Sequence, residues 1–143
     1  MSTIHQIQNE IISEFEILGD DKESTIFYIM ELGSSLAPFP ESDRTEENII
    51  KGCQSKVWLT AQEKEGKIEY SADSNTDITK GLISLLIRIL NYRSPQEILD
   101  ADLFFLDRIG MGGIIGSQRS NGLAAMIKQM KLYAIAFQTK QNA

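Results

Sequence analysis

The 143-residue chain holds one cysteine, one histidine, one tryptophan and three prolines, and each scarcity closes off some chemistry. One cysteine forms no internal disulfide and cannot alone cage an iron–sulfur cluster, which usually takes several thiolates. His5 and Cys53 are the only imidazole and thiol side chains, too few for a structural zinc site of about four ligands. Positive charge is also short: 14 Lys and Arg stand against 20 Asp and Glu, a net charge of −6. With no basic block to neutralise a phosphate backbone, nucleic acid is not an expected partner. Long apolar runs are missing. The most apolar window, Leu82 to Leu90, contains Ser84 and Arg88 and is less than half of the roughly 20 residues a membrane span needs. The N-terminal stretch, interrupted by Glu10 and Glu14, lacks the basic and unbroken apolar regions of an export signal. A free thiol without targeting signals predicts a cytoplasmic protein with no membrane partner.

Glycines cluster at 110, 112, 113 and 116, yet a dinucleotide-binding fingerprint needs glycine where Ile115 stands, and no βαβ unit flanks it. This stretch predicts a flexible connector before a last helix.

What is present patterns as one domain spanning residues 1–143, of a size that buries roughly 70% of its unfolded surface. Ile4, Ile7, Ile11, Phe15 and Leu18 step by three and four, the stripe of a helix opening near Ser2 or Thr3. A second helix is expected from around Asp21 to Ser24, burying Phe27 and Met30 and stopping at Gly33, and Pro38 and Pro40 then impose an extended loop. From Lys56 the period becomes two. Val57, Leu59 and Ala61 alternate with Trp58 and Thr60, Glu65-Gly66 turns the chain, and Ile68, Tyr70 and Ala72 alternate with Glu69, Ser71 and Asp73. This is a hairpin with one buried face. Asp77 to Asn91 reads as a central apolar helix, Ser94-Pro95-Gln96-Glu97 as a capping box, and Leu123 to Phe137 as a helix opening near Ser120 or Asn121. Helices beside an antiparallel hairpin give an α+β fold.

Three residues are candidates for chemistry. Cys53 lies in Lys51-Gly52-Cys53-Gln54-Ser55-Lys56, between a polar acidic loop and the first strand, where a scaffold can present a side chain. Lys51 and Lys56 would favour its thiolate if close, whereas inert packing is the ordinary fate of a lone cysteine. Arg119, just before the last helix, is either an anion contact or a solvated arginine. Asp73 is a strand-end carboxylate of the kind that commonly caps.

The run Gly52-Cys53-Gln54-Ser55-Lys56-Val57-Trp58 resembles the SufE-type family of cysteine-desulfurase partners. The resemblance continues through Glu31-Leu32-Gly33, Arg44, Asn48, Ala72-Asp73-Ser74, Lys80-Gly81-Leu82 and Arg119-Ser120-Asn121-Gly122-Leu123, nearly the whole chain. It implies a SufE/IscU-like fold, a small three-stranded antiparallel sheet with helices packed on one face. It implies that Cys53 accepts persulfide sulfur from a SufS-type cysteine desulfurase, stimulating it, and passes the sulfur to an iron–sulfur cluster assembly scaffold. Gly52, Gln54, Ser55, Asp73 and Arg119 would support the loop or contact the partner. No cofactor of its own is implied, since pyridoxal phosphate belongs to the desulfurase, and the chain would act as a co-substrate, as monomer or homodimer. The chain departs from the family at Ile115-Gly116-Ser117-Gln118, where Ser-Pro or Thr-Pro is common, and at Asp73-Ser74-Asn75, where Asp-Ser-Asp is common. The alternatives are an interaction module with a structural Cys53 and a thiol hydrolase using Cys53 with His5.

Overall fold

Thr3 starts the first helix because its side chain and that of Gln6 satisfy each other's backbone. Its Oγ1 accepts the Gln6 N–H at 3.0 Å and Gln6 Oε1 accepts the Thr3 N–H at 2.9 Å. The computed structural model describes residues 2–142. Helix α1 (Ile4–Ile17) buries Ile11, Ile12 and Phe15, and Asp21 then caps α2 (Lys22–Gly33). Helix α2 turns Thr25, Ile29 and Gly33 inward and leaves Phe27 62% exposed, against expectation. The run Ile26 to Met30 is apolar on all sides, so its sequence does not say which side faces out.

Strands β1 (Val57–Lys64) and β2 (Lys67–Ser74) pair antiparallel in the register Val57↔Ser74 to Lys64↔Lys67 around Glu65 and Gly66. Both turn residues have positive φ, 54° and 81°, whose twist matches that of the strands. The expected third strand is not formed among the described residues. The sheet has two strands, and the segment ahead of β1 contributes only the bridge Ile49↔Trp58 and the bond from Ile50 N–H to Val57 O at 2.8 Å. Extended pairing stops there because the chain turns away at Lys51 and Gly52.

Helix α3 (Asp77–Leu90) packs along β2 and against α1, α2 and the last helix, α6 (Met111–Gln141). The α2–α3 contact is a backbone contact. A Cβ on Gly81 would lie 1.9 Å from Ile29 O, and one on Gly33 would lie 2.8 Å from Gly81 N. Helix α4 (Pro95–Asp100) has the expected capping box of Ser94 and Glu97, and the single turn α5 (Phe105–Arg108) follows. Buried Gln8 ties this region to α1, accepting the Phe105 N–H at 3.1 Å and donating to Asp102 O at 3.0 Å. Helix α6 (Met111–Gln141) begins earlier than expected. The glycine-rich stretch is helical, interrupted at Gly116, whose φ of 82° and ψ of 169° only glycine adopts readily. Tyr70 Oη donates to Met130 O at 2.6 Å and Tyr133 Oη to Leu59 O at 3.3 Å, fixing α6 against the sheet. The architecture is α+β, and no helix among the described residues is long and apolar enough to cross a membrane.

Two substitutions probe these contacts. Gly81→Ala forces α2 off α3 and should lower the unfolding free energy by about 3 kcal/mol in urea denaturation. An unchanged midpoint would place α2 elsewhere. Gln8→Ala strands the buried Phe105 N–H and should cost about 2 kcal/mol, with far-UV circular dichroism otherwise unchanged.

Candidate functional site

Residues 51–56 form a loop whose neck is closed by the Ile50–Val57 bond, so the chain enters and leaves it at one fixed point. Gly52 turns the backbone with φ of +98°, and this orients Cys53 inward toward α6. The thiol is half-buried and Sγ donates to Gly122 O at 3.5 Å. Cys53 packs directly over Gly122, where an added Cβ would lie in ordinary contact with Sγ at 3.6 Å.

Two hollows flank the thiol. A recess of about 120 Å³ beside Cys53 is lined by apolar Leu82 and Met126 together with polar Ser55, Thr79, Gln118 and Arg119. A wider cavity of about 280 Å³ lies between Gly52, Gln54, Gln118 and Asn121. Burial pushes the Cys53 thiol above its ordinary range. The expected help from Lys51 and Lys56 is not realised at rest, because burial is what sets the shift and no cation offsets it.

The two ends of the loop are held differently. Downstream, Ser55 Oγ meets the hydroxyls of Thr76 at 3.0 Å and Thr79 at 3.4 Å. Lys56 N–H donates to Asn75 Oδ1 at 3.0 Å, and Lys56 O accepts from Ser74 Oγ at 2.8 Å and Asn75 N–H at 3.2 Å. Asn75, where the sequence departs from the family pattern, is therefore used as a loop fastener. Upstream, among the described residues, the only hydrogen bond made by Lys51 to Gln54 is that from Cys53 to Gly122.

Asp73 does not join the thiol. It is buried on the opposite face of the hairpin, paired with Arg44 and 3.4 Å from Lys80 Nζ. The Arg44 guanidinium lies over the rings of Trp58 at 5.5 Å and Phe39 at 5.8 Å. Burial works to raise the Asp73 carboxyl, but the Ser74 N–H, the Arg44 hydrogen bond and the charges of Lys80 and Arg44 together hold it below its usual value. Its work is to fix the segment leading to the cysteine loop onto β1 and β2. Arg119 is exposed at the mouth of the recess, and among the described residues no carboxylate pairs with it. His5 lies tilted against Phe104, ring centroids 5.0 Å apart, in a cleft shared with Asp100 and Asp102, and lines neither hollow beside Cys53. The structure thus gathers Gly52, Cys53, Gln54, Ser55 and Arg119 and separates Asp73 and His5 from them.

Thr76, Thr79, Leu82 and Met126 complete the surroundings of the thiol and were not singled out as site residues from the sequence. Only the position of Thr76 and Thr79 at the start of a helix that follows the hairpin could have signalled them.

The family profile SufE, described as "Fe-S metabolism associated domain", matches residues 9–134. An uncharacterized SufE-like protein of Synechocystis is 34% identical over 136 residues, covering 93% of this chain and 83% of that protein. Uncharacterized SufE-like proteins of Rhizobium meliloti and Rhizobium etli are 34% and 36% identical over 128 residues, covering 86% of this chain and 91% and 86% of their own lengths. The solution structure of a hypothetical protein from Thermus thermophilus superposes with a TM-score of 0.75 at 19% identity, covering 93% of this chain and 96% of that one, a likeness of fold. Sequence along nearly the whole chain and a cysteine loop set against the last helix lead to one assignment: the chain belongs to the SufE family.

Proposed function

We propose that this protein takes sulfane sulfur from the persulfide of a SufS-type cysteine desulfurase onto Cys53 and hands it to an iron–sulfur cluster assembly scaffold. The observation that carries this reading is the placement of Cys53 at the free end of a closed loop, half-sheltered over a small recess. A packed structural cysteine needs neither a glycine-hinged loop nor a hollow on either side.

The chemistry is thiol–disulfide exchange in another form. The Cys53 thiol first loses its proton to solvent or to a base on the donor, and the thiolate attacks the terminal sulfur of the donor persulfide. A new sulfur–sulfur bond forms on Cys53, the donor's sulfur–sulfur bond breaks, and the donor cysteine leaves as a thiolate that recovers a proton. No electron is gained or lost overall. Clearing the donor cysteine frees the desulfurase for another turnover, which accounts for stimulation by a co-substrate.

Resting geometry opposes premature reaction. A half-buried thiol above its ordinary range is a poor nucleophile at neutral pH, and its Sγ is turned to Gly122 O. On this reading docking lifts Cys53 into a more polar setting, where its anion is favoured by exposed Arg119, which lines the same recess, and by exposed Lys51 and Lys56 of the loop itself. Such shielding suits a carrier of a reactive persulfide in a reducing, cytoplasmic setting.

Intact mass under non-reducing conditions, after incubation with an active desulfurase and cysteine, should show added sulfur on wild type and none on Cys53→Ala, with desulfurase turnover raised by wild type alone. Absence of both with a cognate enzyme would leave an interaction module with a structural Cys53. In the free protein, the rate of Cys53 alkylation should rise with pH to a midpoint above that of a solvent-exposed cysteine, as burial dictates. A midpoint at or below the ordinary thiol range would mean that nearby cations outweigh burial at rest.

A further inference from the structure

Thr76 occupies the N-cap position of α3 with extended backbone, φ −128° and ψ 143°, and is of a residue type that normally caps with its hydroxyl. It makes no side-chain cap bond. Its hydroxyl turns instead to Ser55 Oγ at 3.0 Å, and the hydroxyl of Thr79, a buried residue in the first turn of α3, reaches the same oxygen at 3.4 Å. A helix start has given up its local cap so that two hydroxyls converge on the residue two places after Cys53. A local rule broken at a site is expected where function overrides it.

We propose that Thr76 and Thr79 are positioning residues for Cys53, acting through the Ser55 hydroxyl to hold the downstream end of the loop on α3. This inference rests on the reading of Cys53 as the sulfur acceptor and concerns how its movement is limited. With the neck closed at Ile50 and Val57, and Ser55 and Lys56 fastened to residues 74–79, the compliant stretch is Lys51 to Gln54. Cys53 then leaves its seat on Gly122 by rotation at Gly52. Two residues of extended chain span about 7 Å, so Cys53 stays within that radius of the anchored Ser55. The sulfur is delivered along a short, repeatable arc, and Ser55 never follows it.

The test compares wild type with the double variant Thr76→Val/Thr79→Val, which keeps shape and removes both hydroxyls, and with Thr76→Ser/Thr79→Ser, which keeps the hydroxyls. In the free protein, loss of the latch should speed iodoacetamide alkylation of Cys53 by about three- to tenfold, the range of one or two hydrogen bonds, and hasten amide exchange at 54–56. With a desulfurase, the saturating rate of sulfur acceptance should fall while the acceptor KM stays within about twofold. The serine variant should match wild type throughout. Wild-type alkylation and exchange in the valine variant would overturn the proposal, as would a serine variant that behaves like the valine one, which would assign the effect to methyl packing. Should the valine variant melt below the assay temperature, Ser55→Ala removes the shared oxygen and must give the same faster alkylation. Alkylation and exchange need no desulfurase, so a wild type that accepts no sulfur would sink the role of Cys53 while leaving the latch to be decided on its own.

Discussion

The burial of α3 is the constraint on which the rest depends. Ten of its residues are buried, from Ile78 to Leu90, and every large element packs on it directly or through the sheet. A helix enclosed on nearly all sides cannot slide or rotate without opening the core, so its first turn is a fixed point in the molecule. That first turn faces the cysteine loop. The Gly81 contact with Ile29 prevents α2 from drifting, and α6 closes over the thiol from the other side. The site is thus assembled from the best-anchored part of the fold, and its one loose stretch is flanked by rigid ones.

The thiol sits under opposing demands. Reactivity asks for a thiolate, which a low-dielectric pocket disfavours, whereas storage of a persulfide asks for shelter from other thiols. The resting arrangement favours shelter. Burial raises Cys53, Gly122 offers an uncharged carbonyl, and the cations of the region remain in solvent where they cost nothing to keep charged. The molecule leaves activation to whatever displaces the loop.

Periodicity and punctuation made much of this legible in the sequence. The alternation around Glu65-Gly66 fixed the hairpin and its buried face, the box Ser94 to Glu97 marked α4, and the polar flanks of Cys53 marked a displayed loop. Other features depended on distance that sequence does not encode. Arg44 and Asp73 are 29 positions apart on different elements, and only the register that sets Trp58 opposite Asp73 brings them together. Residues 111–115 fold as a helix although glycine is a poor helix former, because Met111 and Ile115 are buried one turn apart. Phe27 lies in an apolar run with no period to orient it. Thr76 is of a capping residue type at an N-cap position yet makes no side-chain cap bond, since tertiary bonding to Ser55 outweighed the local preference.

From Gly122 to Gln141, α6 rises about 29 Å, and the eight-residue strands beside it extend about 27 Å. These two struts of nearly equal length are joined at both ends and along the middle: at Cys53 and Gly122, by Tyr70 and Tyr133, and where Gln141 Nε2 reaches Glu63 and, at 3.3 Å, Gly66 O. A braced frame of this kind shares load among its joints. The mid-span tyrosine bonds and the Gln141 bonds are separate from the thiol loop, so movement at Cys53 requires none of them to break. Insertions or labels at Glu65-Gly66 would ride on the frame without altering its moving corner.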